Sequence, residues 1–428
     1  MNLSAPLRIG TMIVRDRVFE IPLDHAMPEG NKIEIFAREV VDENADANAS
    51  LPWLVYHQGG PGFPCMRISS GSRSGWLKKA LEKHRVLLVD QRGTGRSTPV
   101  CQQALTGLSP AEQAHYLTHF RADSIVRDFE FIRRELKVDR WSSLGQSYGG
   151  FITLTYLSLA PESLSACYIT GGIPSLDRNV DDVYRATHPF CRAKSEAYYA
   201  KYPDDERKVR EVVEHLHSNR VALSTGEILS PRRLQLLGME LGFTRGKDFL
   251  HNIFEAPFVK TPRGRELSYN FLRSVENAHA FNTNPIFAVL HESIYTQGFA
   301  SRWSAERVRP EFPEFVTDAE RFLFAGEMIG PWMLDEFAEL RPLKDAANLL
   351  AEKSDWGPLY DPAVLAKNKV PLAAAVYFED MFVNQAYSLE TARRVRGCRT
   401  WVTNEYEHCG LGVDGERVLG RLMEIARE

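Results

Sequence analysis

Apolar and polar positions change rhythm several times along this chain. Lys32 to Val41 alternates the two, as a half-buried strand does, and Val18 to Pro22 before it reads as short and extended. Leu51 to Tyr56 and Val86 to Val89 are more continuously apolar, the pattern of buried strands. Ser124 to Leu136 has helical spacing, with Ile125, Phe129, Ile132 and Leu136 on one side. Trp141 to Leu144 is a further strand, Phe151 to Leu159 a helix that stops before Pro161, and Ser165 to Thr170 a strand that ends at Gly171-Gly172. Strands alternating with helices in this way predict a mostly parallel sheet, doubly wound, with helices on both faces.

The rhythm breaks near Ile173. From there to about Pro358 helical segments dominate: Asp182 to Tyr199, Asp205 to Ser218, Pro231 to Leu241, Asn284 to Ile294 and Trp332 to Leu340. The α/β pattern resumes with strand Val370 to Phe378, helix Leu389 to Arg396, strand Thr400 to Thr403 and a last helix over Glu416 to Ala426. The expected organisation is an α/β core in two parts, 1–173 and 361–428, interrupted by a mainly helical cap over 174–360.

Composition narrows the class. The 428 residues carry 52 basic and 56 acidic side chains, a formal net charge of -4, which gives no reason to expect a nucleic acid or a membrane surface as partner. No apolar run approaches the roughly 20 residues of a membrane helix. Met1 to Arg8 lacks the basic and long apolar regions of a secretory leader. The six cysteines are scattered, with neither a CxxC pair nor zinc spacing. Reduced, buried thiols and a cytoplasmic location are the expectation.

Chemistry concentrates at three places. Gly145-Gln146-Ser147-Tyr148-Gly149 matches G-x-S-x-G between an apolar strand and a helix. A nucleophile on such a turn needs glycine at the flanking positions, because side chains there would clash. Ser147 is therefore the candidate nucleophile, and a base must take its proton. In this arrangement acid and histidine follow the serine along the chain. Asp380 ends the strand Val376-Tyr377-Phe378-Glu379-Asp380, and His408 lies in the loop after the last strand. Glu379 is the neighbouring acid that competes with Asp380, while Asp355 and Asp361 fall before the strand. An oxyanion hole requires two backbone N–H groups. Tyr148 would give one, and either Gly59 or Gly60 the other. Asp90 to Ser97 reads as a structural turn, with Asp90 and Arg92 as a candidate ion pair. This chemistry requires no metal or organic cofactor, and the histidines form no ligand cluster.

Taken together, Gln58-Gly59-Gly60-Pro61-Gly62, Asp90-Gln91-Arg92-Gly93-Thr94-Gly95-Arg96-Ser97 and Gly145-Gln146-Ser147-Tyr148-Gly149-Gly150 resemble the proline iminopeptidase (prolyl aminopeptidase) family of serine peptidases with the α/β-hydrolase fold. Phe281-Asn282-Thr283-Asn284-Pro285, His291-Glu292, Gly326-Glu327-Met328-Ile329, Asp355-Trp356-Gly357-Pro358 and Asn404-Glu405-Tyr406-Glu407-His408 extend the resemblance over nearly the whole chain. His57, before Gln58, is a minor departure. The resemblance implies release of N-terminal proline from short peptides. Such an enzyme must recognise a charged amino terminus, and a carboxylate in a dry pocket does so best. Glu292 and Glu327, each beside an apolar run in the cap, are the candidates. Tyr148, Phe63, Phe287, Tyr295 and Trp332 could wall the proline ring. The alternative is an esterase or amidase with the same Ser147, Asp380 and His408 but no use for either glutamate.

Overall fold

The computed structural model describes residues 2–48 and 50–428. Met1, the first residue of the segment read for a leader, lies outside them. Ten strands form one sheet: β1 (Asn2–Leu3), β2 (Leu7–Ile9), β3 (Met12–Pro22), β4 (Lys32–Asp42), β5 (Trp53–His57), β6 (Arg85–Val89), β7 (Trp141–Gln146), β8 (Leu164–Thr170), then β11 (Leu372–Tyr377) and β12 (Cys398–Thr403). The order is β1-β3-β4-β6-β5-β7-β8-β11-β12, with β2 beside β3. From β6 to β12 every neighbouring pair is parallel. The amino-terminal strands are antiparallel.

Side chains of the central strands alternate between two cores. On β5 and β6, Val55, Leu87 and Val89 face one core, and Leu54, Tyr56, Val86 and Leu88 the other. On β11, Leu372, Ala374 and Val376 oppose Ala373, Ala375 and Tyr377 in the same way. The first core also contains buried residues of α2 (Ala122–Glu135) and α3 (Tyr148–Leu159). The second is covered by α1 (Gly75–Leu81) and the carboxy-terminal helix Gly415–Ile425. This is the expected doubly wound α/β architecture.

Strand β3 is longer than Val18 to Pro22. It pairs with β4 in unbroken register from Met12↔Asp42 to Pro22↔Lys32. Its charged stretch hides the pattern, because those side chains are tied down by partners far away in sequence. Arg15 makes two 2.7 Å bonds to Asp46, and Arg38 bonds Asp16 at 2.7 and 2.9 Å.

No strand of the main sheet comes from the segment between β8 and β11 among the described residues. It opens with α4 (Val180–Lys201) and α5 (Pro203–Ser218), both close to the sequence expectation. Three expected helices are shorter. Pro231–Gln235 gives way to a 3-10 turn over Leu236–Gly242, Pro285–Val289 is followed by a 3-10 turn, and Met333–Glu336 is one turn only. At Gly238 a Cβ would fall 2.2 Å from the Ala325 carbonyl oxygen, so the chain there follows a close contact rather than helical periodicity. A hairpin of β9 (Phe258–Thr261) and β10 (Gly264–Leu267) had no counterpart in the reading. Part of the segment has its own core, built on Tyr198, Val209, Val212, Leu250, Phe254 and Phe324. Other residues of the segment share the core beneath the sheet, among them Phe281, Phe287, Leu290, Met333, Phe337 and Leu359. Among the described residues, no helix is long and apolar enough to cross a membrane.

Candidate active site

The strand-to-helix turn at Ser147 holds a backbone that few residues adopt. Ser147 has φ 54° and ψ -125°, a strained conformation for a side chain with a Cβ. Its flanks explain the glycines. A Cβ on Gly145 would fall 2.3 Å from the Gly149 carbonyl oxygen, and one on Gly149 would fall 2.0 Å from that of His57. The Ser147 amide donates to Thr170 at 3.0 Å.

Gly171 and Gly172, at the end of the neighbouring strand, pack against His408 and Ser147 respectively. A Cβ on Gly172 would lie 2.2 Å from the Ser147 carbonyl oxygen, and one on Gly171 would lie 3.2 Å from Nδ1 of His408. His408 and Asp380 are joined directly, Nδ1 to Oδ2 at 2.6 Å. The other Asp380 oxygen accepts the amides of Phe382 at 2.8 Å and Val383 at 3.0 Å. Both side chains are buried. Glu379, the competing acid, instead carries a side chain 62% exposed and bonded to Lys194.

Gly59 packs on the nucleophile: a Cβ there would lie 3.0 Å from that of Ser147. Its turn is held from behind by Gln91, whose Nε2 donates to the Gln58 carbonyl at 2.9 Å. Gly60 has φ +129°, a region that only glycine occupies readily. Tyr148 begins α3 directly after Ser147, so its amide is among the unpaired N–H groups of the helix start.

Asp90 and Arg92 do not pair with each other. Asp90 binds Arg67 at 2.7 and 3.0 Å and the amides of Cys65 and Arg96. Arg92 turns to Asp128 on α2 and to the carbonyls of Leu23 and His119. The tight turn between them sends the two side chains to different neighbours.

The glutamates are in unlike surroundings. Glu292 is buried, and each of its oxygens already accepts a backbone amide at the start of helix Ser304–Val308: Ser304 at 3.0 Å and Ala305 at 2.9 Å. Burial raises its carboxyl above the ordinary range, against the pull of those hydrogen bonds. Its geometry is that of a helix cap. Glu327 keeps 24% of its side-chain surface open, and His291 Nε2 lies 3.9 Å from its Oε2. Burial lowers His291 to about 4, so it is neutral at pH 7 and forms no ion pair. Glu327 is pushed up to about 7, chiefly by desolvation, with the His408 charge opposing and the Asp380 charge adding to it. The last two influences place Glu327 within electrostatic reach of the Asp380–His408 pair.

Aromatic rings form a connected wall. Phe63 meets Phe287 edge-on at 5.1 Å, Phe287 meets His291 at 5.6 Å, and His291 meets Tyr295 at 6.4 Å. Phe151 joins Tyr295 at 5.4 Å to Tyr148 at 5.9 Å. Trp332 stands apart from these rings, under the Arg232 guanidinium at 4.7 Å.

A family model described as the alpha/beta hydrolase fold matches residues 52–224. The proline iminopeptidase of Aeromonas sobria is 49% identical over 413 residues, 96% of each chain. The chain belongs to the proline iminopeptidase family. A second member, proline iminopeptidase aneH of Aspergillus aculeatus, is 35% identical over 96% of this chain and 93% of its own. The solved proline iminopeptidase of Mycobacterium smegmatis is more distant: 14% identity over 96% of this chain and 99% of that one, with a TM-score of 0.47. Lys194 and Arg121, both buried and both bonded to the segments around this site, were not singled out from sequence. For Lys194 the trace was a glutamate immediately before each of Asp380 and His408.

Proposed function

We propose that this protein is a serine aminopeptidase that releases N-terminal proline from short peptides. Residues 174–360 act as the cap over a core formed by 1–173 and 361–428. Family membership supports the substrate class, and one observation carries the specificity: Glu327 is a largely buried carboxyl group with no hydrogen-bond partner among the described residues, and it feels the charges of His408 and Asp380.

In this reading Ser147 Oγ attacks the carbonyl carbon of the first residue while His408 takes its proton. Asp380 on Nδ1 fixes the tautomer that leaves Nε2 free for this task, and stabilises the imidazolium. The amides of Tyr148 and of Gly59 or Gly60 receive the developing negative charge. Collapse of the tetrahedral intermediate breaks the C–N bond, and His408 returns the proton to the departing amine. Water, deprotonated by His408, then hydrolyses the acyl-enzyme and restores Ser147. Glu327 holds the secondary ammonium of the proline, and the aromatic wall from Phe63 to Tyr295 lies against its ring. Glu292 supports this indirectly, by fixing the helix that begins at Ser304.

The test is Glu327→Gln with a prolyl arylamide and a neutral ester. Breaking a desolvated charge pair costs about 3 kcal/mol, roughly 100-fold in kcat/KM, on the arylamide. The ester should be nearly spared. Equal losses on both would leave an esterase or amidase without amino-terminal recognition. Ser147→Ala should abolish both activities.

A further inference from the structure

Lys194 is 5% exposed and lies on α4, the first helix after the sheet is interrupted. Its ammonium donates to Glu407 at 2.6 and 2.8 Å and to Glu379 at 3.2 Å. Glu407 immediately precedes His408, and Glu379 immediately precedes Asp380. One lysine thus ties together the two loops that carry the acid and the base. We propose that Lys194 is a positioning residue that sets the spacing of the Asp380 and His408 loops. The proposal rests on the reading of Ser147, His408 and Asp380 as the reacting group.

Both loops have left the sheet. The last ladder-like bond between them is Phe378 N–H to the Thr403 carbonyl at 2.9 Å, and beyond it they depend on other contacts. His408 has one such contact of its own, its amide to Gly242 at 3.2 Å. The helix end of the clamp is fixed: the neighbouring Ser195 hydroxyl donates to Cys191 at 2.9 Å and accepts the Phe324 amide at 3.0 Å. A buried lysine bound to two carboxylates is not the most economical way to stabilise a fold, since apolar replacements of buried ion pairs are often neutral. What it does provide is a fixed length between two separate loops. A displacement of about 1 Å in a reacting group costs on the order of 100-fold in rate.

Lys194→Met should lower kcat at least about tenfold on both a prolyl arylamide and a neutral ester, with KM changed less than about threefold. It should also move the acid limb of the pH profile upward. Glu379 and Glu407 would then lie uncompensated beside His408 and favour its protonated form. Loss of the ammonium charge alone would move that limb, so the fall in kcat at nearly constant KM is the deciding readout. Unchanged kcat overturns the proposal. Glu379→Gln provides a variant at an exposed position should Lys194→Met fail to fold. It should slow phosphonate labelling of Ser147 severalfold, and labelling at the wild-type rate would count equally against the clamp. If the wild-type chain hydrolyses the ester and not the prolyl arylamide, the substrate reading falls while the clamp remains under test by the ester and the label.

Discussion

His408 and Glu327 titrate against each other. Burial alone would lower the His408 imidazole. The charge and hydrogen bond of Asp380, with the charge of Glu327, outweigh burial and raise it above its ordinary value of 6.5. As the proposed base His408 must be neutral, so activity should fall as pH drops through that raised value. Glu327, at about 7, must be ionised for the proposed contact with an ammonium, so recognition should fall in the same direction. The two are separable by substrate. With a neutral ester the acid limb reports His408 as modified by the Glu327 charge, and Glu327→Gln should shift it to lower pH by removing that negative charge. With a prolyl arylamide, KM in the wild type should rise as pH falls below about 7, and in the glutamine variant it should lose that dependence. A limb that stays put on the ester would show that the two groups are not coupled. At this scale the tight turn at Ser147 and the pairing of His408 with Asp380 were readable, because motif, order and strand ends are local signals. Glu292 was ambiguous for a physical reason. A carboxylate beside an apolar run has the same appearance whether it binds a ligand or caps a helix, and the amides that occupy it come from Ser304 and Ala305.

The turn at Ser147 is the element on which the candidate site depends most. Four glycines surround Ser147 where a methyl group would strike backbone: Gly145, Gly149, Gly150 and Gly172. Gly149→Ala should therefore cost more than about 3 kcal/mol, because His57 and the turn are both backbone and cannot swing aside. It should also abolish phosphonate labelling. Gly412→Ala is the contrasting case, since a Cβ there meets nothing within 4 Å and the residue lies in the helix Gly410–Val413. It should leave stability unchanged or raise it by up to about 1 kcal/mol. Urea unfolding of the two variants checks both, and similar midpoints would refute the steric account. The central elements were readable because their side chains alternate between two cores. Strand β3 was readable only in part, since Arg15, Asp16 and Arg17 interrupt its apolar pattern. The hairpin β9–β10 was not readable at all: both its strands are short and largely exposed, so no buried face marks them.

At the scale of the whole molecule, the question is whether the proposed cap, residues 174–360, opens as a separate body. Its contacts argue against this. Much of the segment 281–359, including Phe281, Phe287, Leu290, Met333, Phe337 and Leu359, lies in the same hydrophobic core as α2 and α3. Met381 and Phe382, which follow Asp380, belong to the core of the helical part instead. Arg121, at the start of α2, is 3% exposed and donates to three carbonyls within residues 281–359: Thr296 at 2.6 Å, Ser293 at 3.3 Å and Gly357 at 2.8 Å. Its guanidinium also lies 4.5 Å from the centre of the Trp356 ring. The two parts should therefore unfold in one calorimetric transition, and loss of Ser147 labelling should coincide with it. Arg121→Met removes three donors and leaves three carbonyls to find others. It should lower stability by about 2–4 kcal/mol while keeping a single transition. Two resolved transitions in the wild type, or a split induced by Arg121→Met with the label lost in the first, would mean that the core and the cap are energetically independent. In that case access of peptides to Ser147 would be set by movement of the whole cap rather than by the fixed wall from Phe63 to Tyr295.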